Sequence, residues 1–483
     1  MTVLPSTPTP ALLWFRQDLR LTDHAALNAA MTGGRPVLPV YILDDEAPGE
    51  WAIGGGSRWW LHGSLTALAA DLKARGAPLV LRRGRAMEIL PALLAETGAD
   101  EIHAGRMHEP WARNVETALE QALPAGTLHL HRTSTLFDLA SIRTKTGGIY
   151  GVYTPFARTL RTAGDPHAPL PAPARIKAPP SPPSDRLESW GLLSAHPDGA
   201  GDMRETWQPG ERAAATRLAA FTARYVSGYD IGRNLPGQPG TSMVSPHLHW
   251  GELSPNQVWH AALAAPPGKG RGQEVYLGEL LWREFAAYVL FHNPHLPEQP
   301  LRPRFAALPT RTAPKELRAW QRGHTGVPIV DAGQRQLWHL GWMHNRVRMI
   351  AASFLVKHLL LPWQEGERWF WDMLVDADLA SNAAGWQWVA GSGIDSQPFF
   401  RVFNPVSQGE KFDPDGAYVR TWVPELARLP DRWVHAPWTA PAAVLDQAGI
   451  VLGRDYPLPV QDLAAGRKRA LETYRATVRE AAA

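Results

Sequence analysis

Short apolar runs alternate with amphipathic stretches over the first quarter of the chain. Ala11–Phe15, Pro36–Leu43, Pro78–Leu81, Glu101–Ala104 and Thr127–Leu130 read as strands, with helical patterns over Arg58–Arg75, Met87–Thr97 and Trp111–Leu123 between them. Strand–helix alternation at this spacing predicts a doubly wound parallel sheet with helices on both faces. Ligands of such sheets sit beyond the carboxyl ends of strands, which places the loop Arg16-Gln17-Asp18 at that edge. No G-x-G-x-x-G follows a strand, which disfavours a dinucleotide-binding turn. Gly54-Gly55-Gly56 precedes a helix without following a strand and is read as a flexible turn rather than a phosphate cradle.

The pattern then changes. Residues 166–183 hold eight prolines, including Pro179-Pro180 and Pro182-Pro183, the composition of an extended, semi-rigid connector. From about residue 206 the period is helical. Ala213–Tyr225 and Gly272–His292 are predicted helices, and Leu340, Met343, Val347, Ile350 and Phe354 step by three and four as one amphipathic helix. The expected organisation is α/β plus all-α: a sheet domain over 1–135, a connector over 136–205 and a helical domain over 206–483.

At 483 residues the chain is long enough for more than one core. The absence of cysteine excludes disulfides, thiolate metal sites, iron–sulfur clusters and cysteine nucleophiles. Net charge is only +3, so charge alone does not select a nucleic-acid partner. No apolar run is long enough to span a membrane, and the opening MTVLPSTPTP lacks the features of an export signal. A soluble, cytoplasmic, monomeric protein is expected. The unusual feature is 21 tryptophans, most of them after residue 206, which points to aromatic chemistry or base stacking in the helical half.

Four constellations in that half carry chemistry. Glu279, Trp282 and Arg283 share a helix face; they suit either a surface Glu–Arg pair beside a core Trp, or an acid and an aromatic plate entering a pocket. In Gly341–Met349, Trp342, Asn345 and Met349 fall on one face, whereas Arg346 and Arg348 are splayed, as suits a helix between two anionic partners. Asp376–Trp388 gathers two carboxylates, Asn382, Trp386 and Trp388; the oxygen spacing of a calcium or magnesium loop is missing, so no metal is expected and Asp376 is expected to pair with Arg348. Thr241-Ser242-Met243-Val244-Ser245 offers hydroxyls and backbone N–H groups at a helix start, either a simple cap or a phosphate seat.

These residues identify a resemblance. Trp14–Asp23, the Thr-Ser-x-x-Ser run, Glu279–Phe285, Gly341–Met349, Asp378–Trp388 and Phe403–Phe412 follow one another as the motifs of the photolyase/cryptochrome family do. The chain looks most like the members that repair cyclobutane pyrimidine dimers in DNA. The resemblance implies an antenna domain, a long connector and a helical domain holding FAD. It implies that Tyr229, Thr241, Ser242, Met243, Val244 and Ser245 hold the FAD phosphates. Arg283, Arg348, Asp376 and Asp378 would surround the flavin, and Asn382 would face its N5. Glu279, Trp282, Asn345, Met349 and Trp388 would line the lesion pocket, with Glu279 and Asn345 also reaching the cofactor, and Arg346 would lie at the DNA backbone.

The implied reaction is light-driven: photoexcited reduced FAD passes an electron to a flipped-out dimer and recovers it after the ring splits. Asn382, rather than Asp or Cys, follows the photolyase pattern, and Asn345 and Met349 stand where (6-4) enzymes carry histidines. Trp386 and Trp363 match two of the family's three electron-relay tryptophans. The third is missing, since 283–319 contain no Trp; Trp320, Trp338, Trp369 and Trp371 are substitutes that read more simply as core packing. His108-Glu109 stands where folate-binding members have Asn-Glu, so the antenna reads as a deazaflavin, flavin mononucleotide or reduced folate, with an empty antenna site a further alternative. The rival readings are a flavin photoreceptor that signals without repair and a plain single-strand DNA-binding module.

Overall fold

The computed structural model describes residues 8–480 apart from 194–196, 267, 269 and 397; the opening seven residues, expected above to carry no export signal, lie outside the described residues. Strands β1 (Ala11–Phe15), β2 (Val37–Leu43), β3 (Val80–Arg83), β4 (Glu101–Gly105) and β5 (Leu128–His131) form one sheet in the order β3-β2-β1-β4-β5, parallel throughout. Alternate residues of each strand serve opposite faces. Leu13 and Phe15 pack with α1 (Ala25–Ala30) and α2 (Gly55–Ala74), whereas Leu12 and Ile102 pack with α3 (Ala86–Thr97) and α4 (Pro110–Ala122). The predicted strands are thus present, with ends displaced by a residue or two.

The loop Arg16-Gln17-Asp18 follows β1 as expected, and one other detail differs from expectation. Strand order reverses between β1 and β4, where a ligand would enter a sheet of this kind. At this crossing Arg16 donates to Gly105 O (3.2 Å) and pairs with buried Glu116, and Asp18 lies beside His24. The glycines at 54–56 are not a flexible turn. A Cβ on Gly54 would lie 2.3 Å from Asp372 Cα, and one on Gly56 2.3 Å from Met373 O, so they let α2 start against the helix Trp363–Met373.

The proline-rich connector is laid onto the sheet half. Val37 N–H donates to Lys177 O (2.7 Å) and Asp185 N–H to Leu81 O (2.9 Å). The first part of the expected 136–205 connector, before the proline-rich run, joins the other core instead: Leu136, Ile142 and Phe156, the last on α5 (Tyr153–Thr162), pack with Leu281, Phe285 and Tyr288 of the helix Gly272–His292. The predicted helix from Leu340 to Phe354 is in fact two. The first, Pro328–Leu340, ends at Gly341 with φ +61°, and the second, Asn345–Ser353, begins after the neutral cap His344. Trp342 therefore does not share a helix face with Asn345 and Met349; its indole reaches Ser245 Oγ instead (3.2 Å).

Glu284 joins the halves. It is buried on the helix Gly272–His292 and accepts from the N–H groups of Leu136 (3.0 Å) and Phe137 (2.8 Å), and burial pushes its carboxyl up to about 7. Replacing it by alanine strands two buried donors, so Glu284→Ala is expected to cost roughly 2–5 kcal/mol in chemical unfolding. Because the folded value lies above the ordinary 4.5, folding takes up a proton in that window and stability falls as pH rises from 4.5 to about 7. Unfolding midpoints of parent and variant measured across that range should lack this component in the variant.

Candidate active site

The helical half encloses a cavity of about 590 Å³, within the range of small-molecule sites. Its walls come from chain segments far apart in sequence. The helix Gly272–His292 contributes Glu279, Trp282 and Arg283; Asn345–Ser353 contributes Asn345, Arg348 and Met349; Leu379–Ala390 contributes Asn382, Trp386 and Trp388; and the 229–249 stretch contributes Tyr229, Ser242, Val244 and Ser245. Asp376 and Asp378 line it from the loop before the last of these helices. Most of the residues singled out from sequence therefore converge on one space. Thr241, Met243, Arg346 and Trp363 do not line it.

The departures have local causes. Met243 takes φ +50°, a left-handed conformation that costs a residue other than glycine roughly 1–2 kcal/mol. The bend lets Ser242 and Val244 line the cavity while Met243 packs against the core of the sheet half. Arg346 lies over the Phe412 ring (4.4 Å) and donates to Asn234 Oδ1, so it is half-buried rather than freely projecting.

An ion pair organises the polar wall. Arg348 Nη2 donates to both oxygens of Asp376 (3.0 and 2.8 Å), and Ser245 Oγ donates to Asp376 Oδ2 (2.6 Å). Asp378 caps the helix Leu379–Ala390 by accepting from Ser381 N–H (2.7 Å); burial alone would raise its pKa, but the Arg283 charge and this hydrogen bond hold it below the usual value. His249 is buried and kept neutral by that burial, and both its ring nitrogens lack partners among the described residues. His344, pushed down to about 3 by burial and by Arg346, Arg348 and Arg233, is neutral and caps Arg346 N–H (3.2 Å).

Glu279 does not pair with Arg283. Its partner is Arg233, while Arg283 donates to Ser134 O (2.7 Å). Burial raises the pKa of Glu279, with Arg233 opposing the rise. One face of Trp282 is stacked on Tyr153 at 3.6 Å and 6° between planes. Sequence reading missed Arg233, Tyr153 and His249. Arg233 was within reach, four residues after Tyr229 in a helical stretch; Tyr153 and His249 carry no local signal.

Asn382 donates to Glu367 O (3.0 Å). Trp386 lies edge-on to Trp320 (6.1 Å) and Phe370 (5.1 Å), and it fits only because position 366 is glycine: a Cβ there would lie 2.0 Å from the indole. Trp320 is fully buried and donates to Ala351 O (3.0 Å), whereas Trp338 is 54% exposed and so is not core packing. Glu109, from the expected antenna region, is buried at the start of α4; burial and nearby Asp378 push its carboxyl up to about 6.

Comparison with known proteins follows the same division. A family model described as the FAD binding domain of DNA photolyase matches residues 276–476, and one described as DNA photolyase matches 11–174. A deoxyribodipyrimidine photo-lyase of Agrobacterium fabrum is 48% identical over 97% of this chain and 98% of its own. Cryptochrome-1 of Arabidopsis thaliana is 35% identical over 95% of this chain and 69% of its own. The crystal structure of a bacterial class III photolyase from Agrobacterium tumefaciens superposes with a TM-score of 0.95 at 47% identity, covering 99% of both chains.

The Arg348–Asp376 pair is the most sensitive element of this wall. Asp376→Asn removes the charge facing Arg348 and weakens the acceptor of Ser245. Breaking a largely buried pair on one side costs about 3–5 kcal/mol, less here because part of Arg348 is exposed. The expected outcome is a loss of roughly 2–4 kcal/mol in urea unfolding, together with less flavin retained through purification.

Proposed function

The chain belongs to the photolyase/cryptochrome family, and from that premise we propose that it is a flavin enzyme repairing cyclobutane pyrimidine dimers in DNA with blue light. The observation that carries the reading is the convergence of Glu279, Trp282, Asn345, Met349 and Trp388 on the cavity that also holds the Arg348–Asp376 pair.

The residues present fit FAD. The cavity has long apolar walls for ring systems, the Ser242 hydroxyl and the Ser245 backbone N–H for phosphate oxygens, and an imidazole, His249, whose buried nitrogens lack partners among the described residues. Tyr229, Thr241, Ser242, Met243, Val244 and Ser245 form the phosphate-side segment of this reading; Thr241 and Met243 would act through backbone alone. Arg283, Arg348, Asp376, Asp378 and Asn382 form the flavin side. When bound and reduced, FAD supplies a light-driven electron to the lesion and recovers it after the ring splits.

The chain's own residues bind and orient. A dimer inside a duplex is out of reach, so it must turn out of the helix, and its poor stacking lowers that cost. Trp282 and Trp388 offer flat apolar walls to the extruded bases, at about 1–3 kcal/mol per stacked base. Tyr153 holds Trp282 in position from behind. Glu279, when protonated, donates a hydrogen bond to a pyrimidine carbonyl where negative charge develops; burial raises its pKa and Arg233 opposes the rise. Arg346 and Arg233 supply positive charge toward phosphates. Trp386 and Trp363 serve electron supply to the cofactor, with Trp320 in ring contact with Trp386 as a branch.

Repair of a dimer-containing oligonucleotide under blue light, with dark and (6-4)-lesion controls, tests the reading against a photoreceptor that does not repair. Glu279→Ala is expected to lower repair per absorbed photon several-fold with FAD still bound. Glu279→Gln keeps a donor and should recover most of the yield; it should also remove the decline expected as pH rises through the raised pKa of Glu279. Binding gives an independent check. Trp282→Ala should weaken affinity for dimer-containing duplex by about tenfold, one stacked base, and leave undamaged duplex nearly unchanged in the same titration.

A further inference from the structure

A cluster outside the cavity lining has no part in this reaction. Glu101 and His103 lie two apart on β4, and His129 and His131 two apart on β5, so all four point to one face of the sheet, with His103 directly opposite His129 in register. β5 is the edge strand, so one side of the cluster opens to solvent. His103 is stacked between its neighbours, 4.9 Å from the His129 ring and 5.3 Å from that of His131.

We propose that Glu101, His103 and His129 form a binding site for a divalent transition metal of the zinc class, which clips the edge strand β5 to β4. The three ligand atoms already lie within 4.8 Å of one another. His103 Nε2 is 3.0 Å and His129 Nε2 4.0 Å from Glu101 Oε2. A tetrahedral ion with bonds of about 2.0 Å needs ligand separations of about 3.3 Å, so a small swing of the half-exposed His129 closes the set. Two imidazoles and a carboxylate suit zinc, with water in the fourth position.

Two further observations point the same way. His129 Nε2 is buried and has no hydrogen-bond partner among the described residues, a lone pair or proton left without use. Behind the cluster, His103 Nδ1 lies 3.0 Å from His131 Nε2. With His103 neutral, Nδ1–H can donate to His131 and leave Nε2 as a lone pair toward the ion, the outer hydrogen bond that orients metal-bound histidines. Arg35 lies 2.7 Å from Glu101 Oε2 but also pairs with Asp100, so it keeps a counter-charge when the ion takes the Glu101 oxygen.

The test uses the full chain with its flavin, stripped with a chelator and dialysed against Zn²⁺ alone, with bound metal measured by elemental analysis. One saturable equivalent and a rise of a few degrees in the unfolding midpoint are expected. His129→Ala and Glu101→Gln should each lose that equivalent, and His131→Phe should weaken it about tenfold. Far-ultraviolet spectra and flavin content identify any variant that has not folded, and Glu101→Gln preserves shape if His129→Ala does not fold. Absence of a saturable equivalent in the parent, or an equivalent that survives both substitutions in folded protein, overturns the proposal. Neither result bears on repair, because the readout is metal content.

Discussion

The Arg348–Asp376 pair is the contact on which the helical half is arranged. A carboxylate buried beside an apolar cavity is tolerable only if its charge is met and its remaining lone pairs are used. Arg348 meets the charge from the helix Asn345–Ser353, and Ser245 donates from the 229–249 stretch. Trp342 then donates to Ser245, and Arg348 to Met343 O (2.8 Å), so the break between the two helices at Gly341–His344 is tied to the same centre. Three segments distant in sequence, 229–249, 341–353 and the loop at Asp376, are oriented by one ion pair. The cavity walls follow from that orientation: Asn382 and Trp386 line the cavity as buried side chains and Asn345 from its exposed side.

The sheet half is held to this centre by a second set of buried polar groups. Glu252, fully buried, accepts from Trp60 Nε1 (3.2 Å) and Gly210 N–H (2.7 Å) and bonds to His247. Arg20 donates to Gly251 O (2.9 Å) and Thr133 O (2.7 Å), and Glu211 receives the N–H groups of Leu21 (2.7 Å) and Thr22 (3.0 Å). Trp60 of α2 and the loop residues Arg20, Leu21 and Thr22 are joined in this way to the 210–211 and 247–252 segments of the helical half. The loop after β1 belongs to the same pattern: Leu19 N–H donates to Trp250 O (3.0 Å). The loops at the carboxyl end of the sheet, which in other folds of this type receive a ligand, here brace the helical half.

Local pattern determined a great deal. Alternation and apolar runs placed all five strands and several helices within a few residues, because side-chain periodicity is a property of contiguous sequence. The motif residues Glu279, Trp282, Arg348, Asn382 and Trp388 were legible for a related reason: each stands in a helix, where spacing alone assigns a face. Where one glycine intervened, the same logic failed. The step from Leu340 to Phe354 kept its period across Gly341, and only the φ of +61° there shows that the chain turns out of one helix and into another.

Contacts across the fold were decided by tertiary structure alone. That Glu279 takes Arg233 rather than Arg283 depends on how two helices lie, not on the spacing within one. The stacking of Tyr153 on Trp282, the closeness of Gly366 to Trp386 and the unpartnered His249 have no local signature either. The histidines on β4 and β5 show the limit most clearly. Read along the chain they are two unremarkable alternations separated by a helix, and no metal was expected there. Parallel pairing sets His103 opposite His129, and register, which is fixed by burial of the other face, turns scattered donors into one cluster.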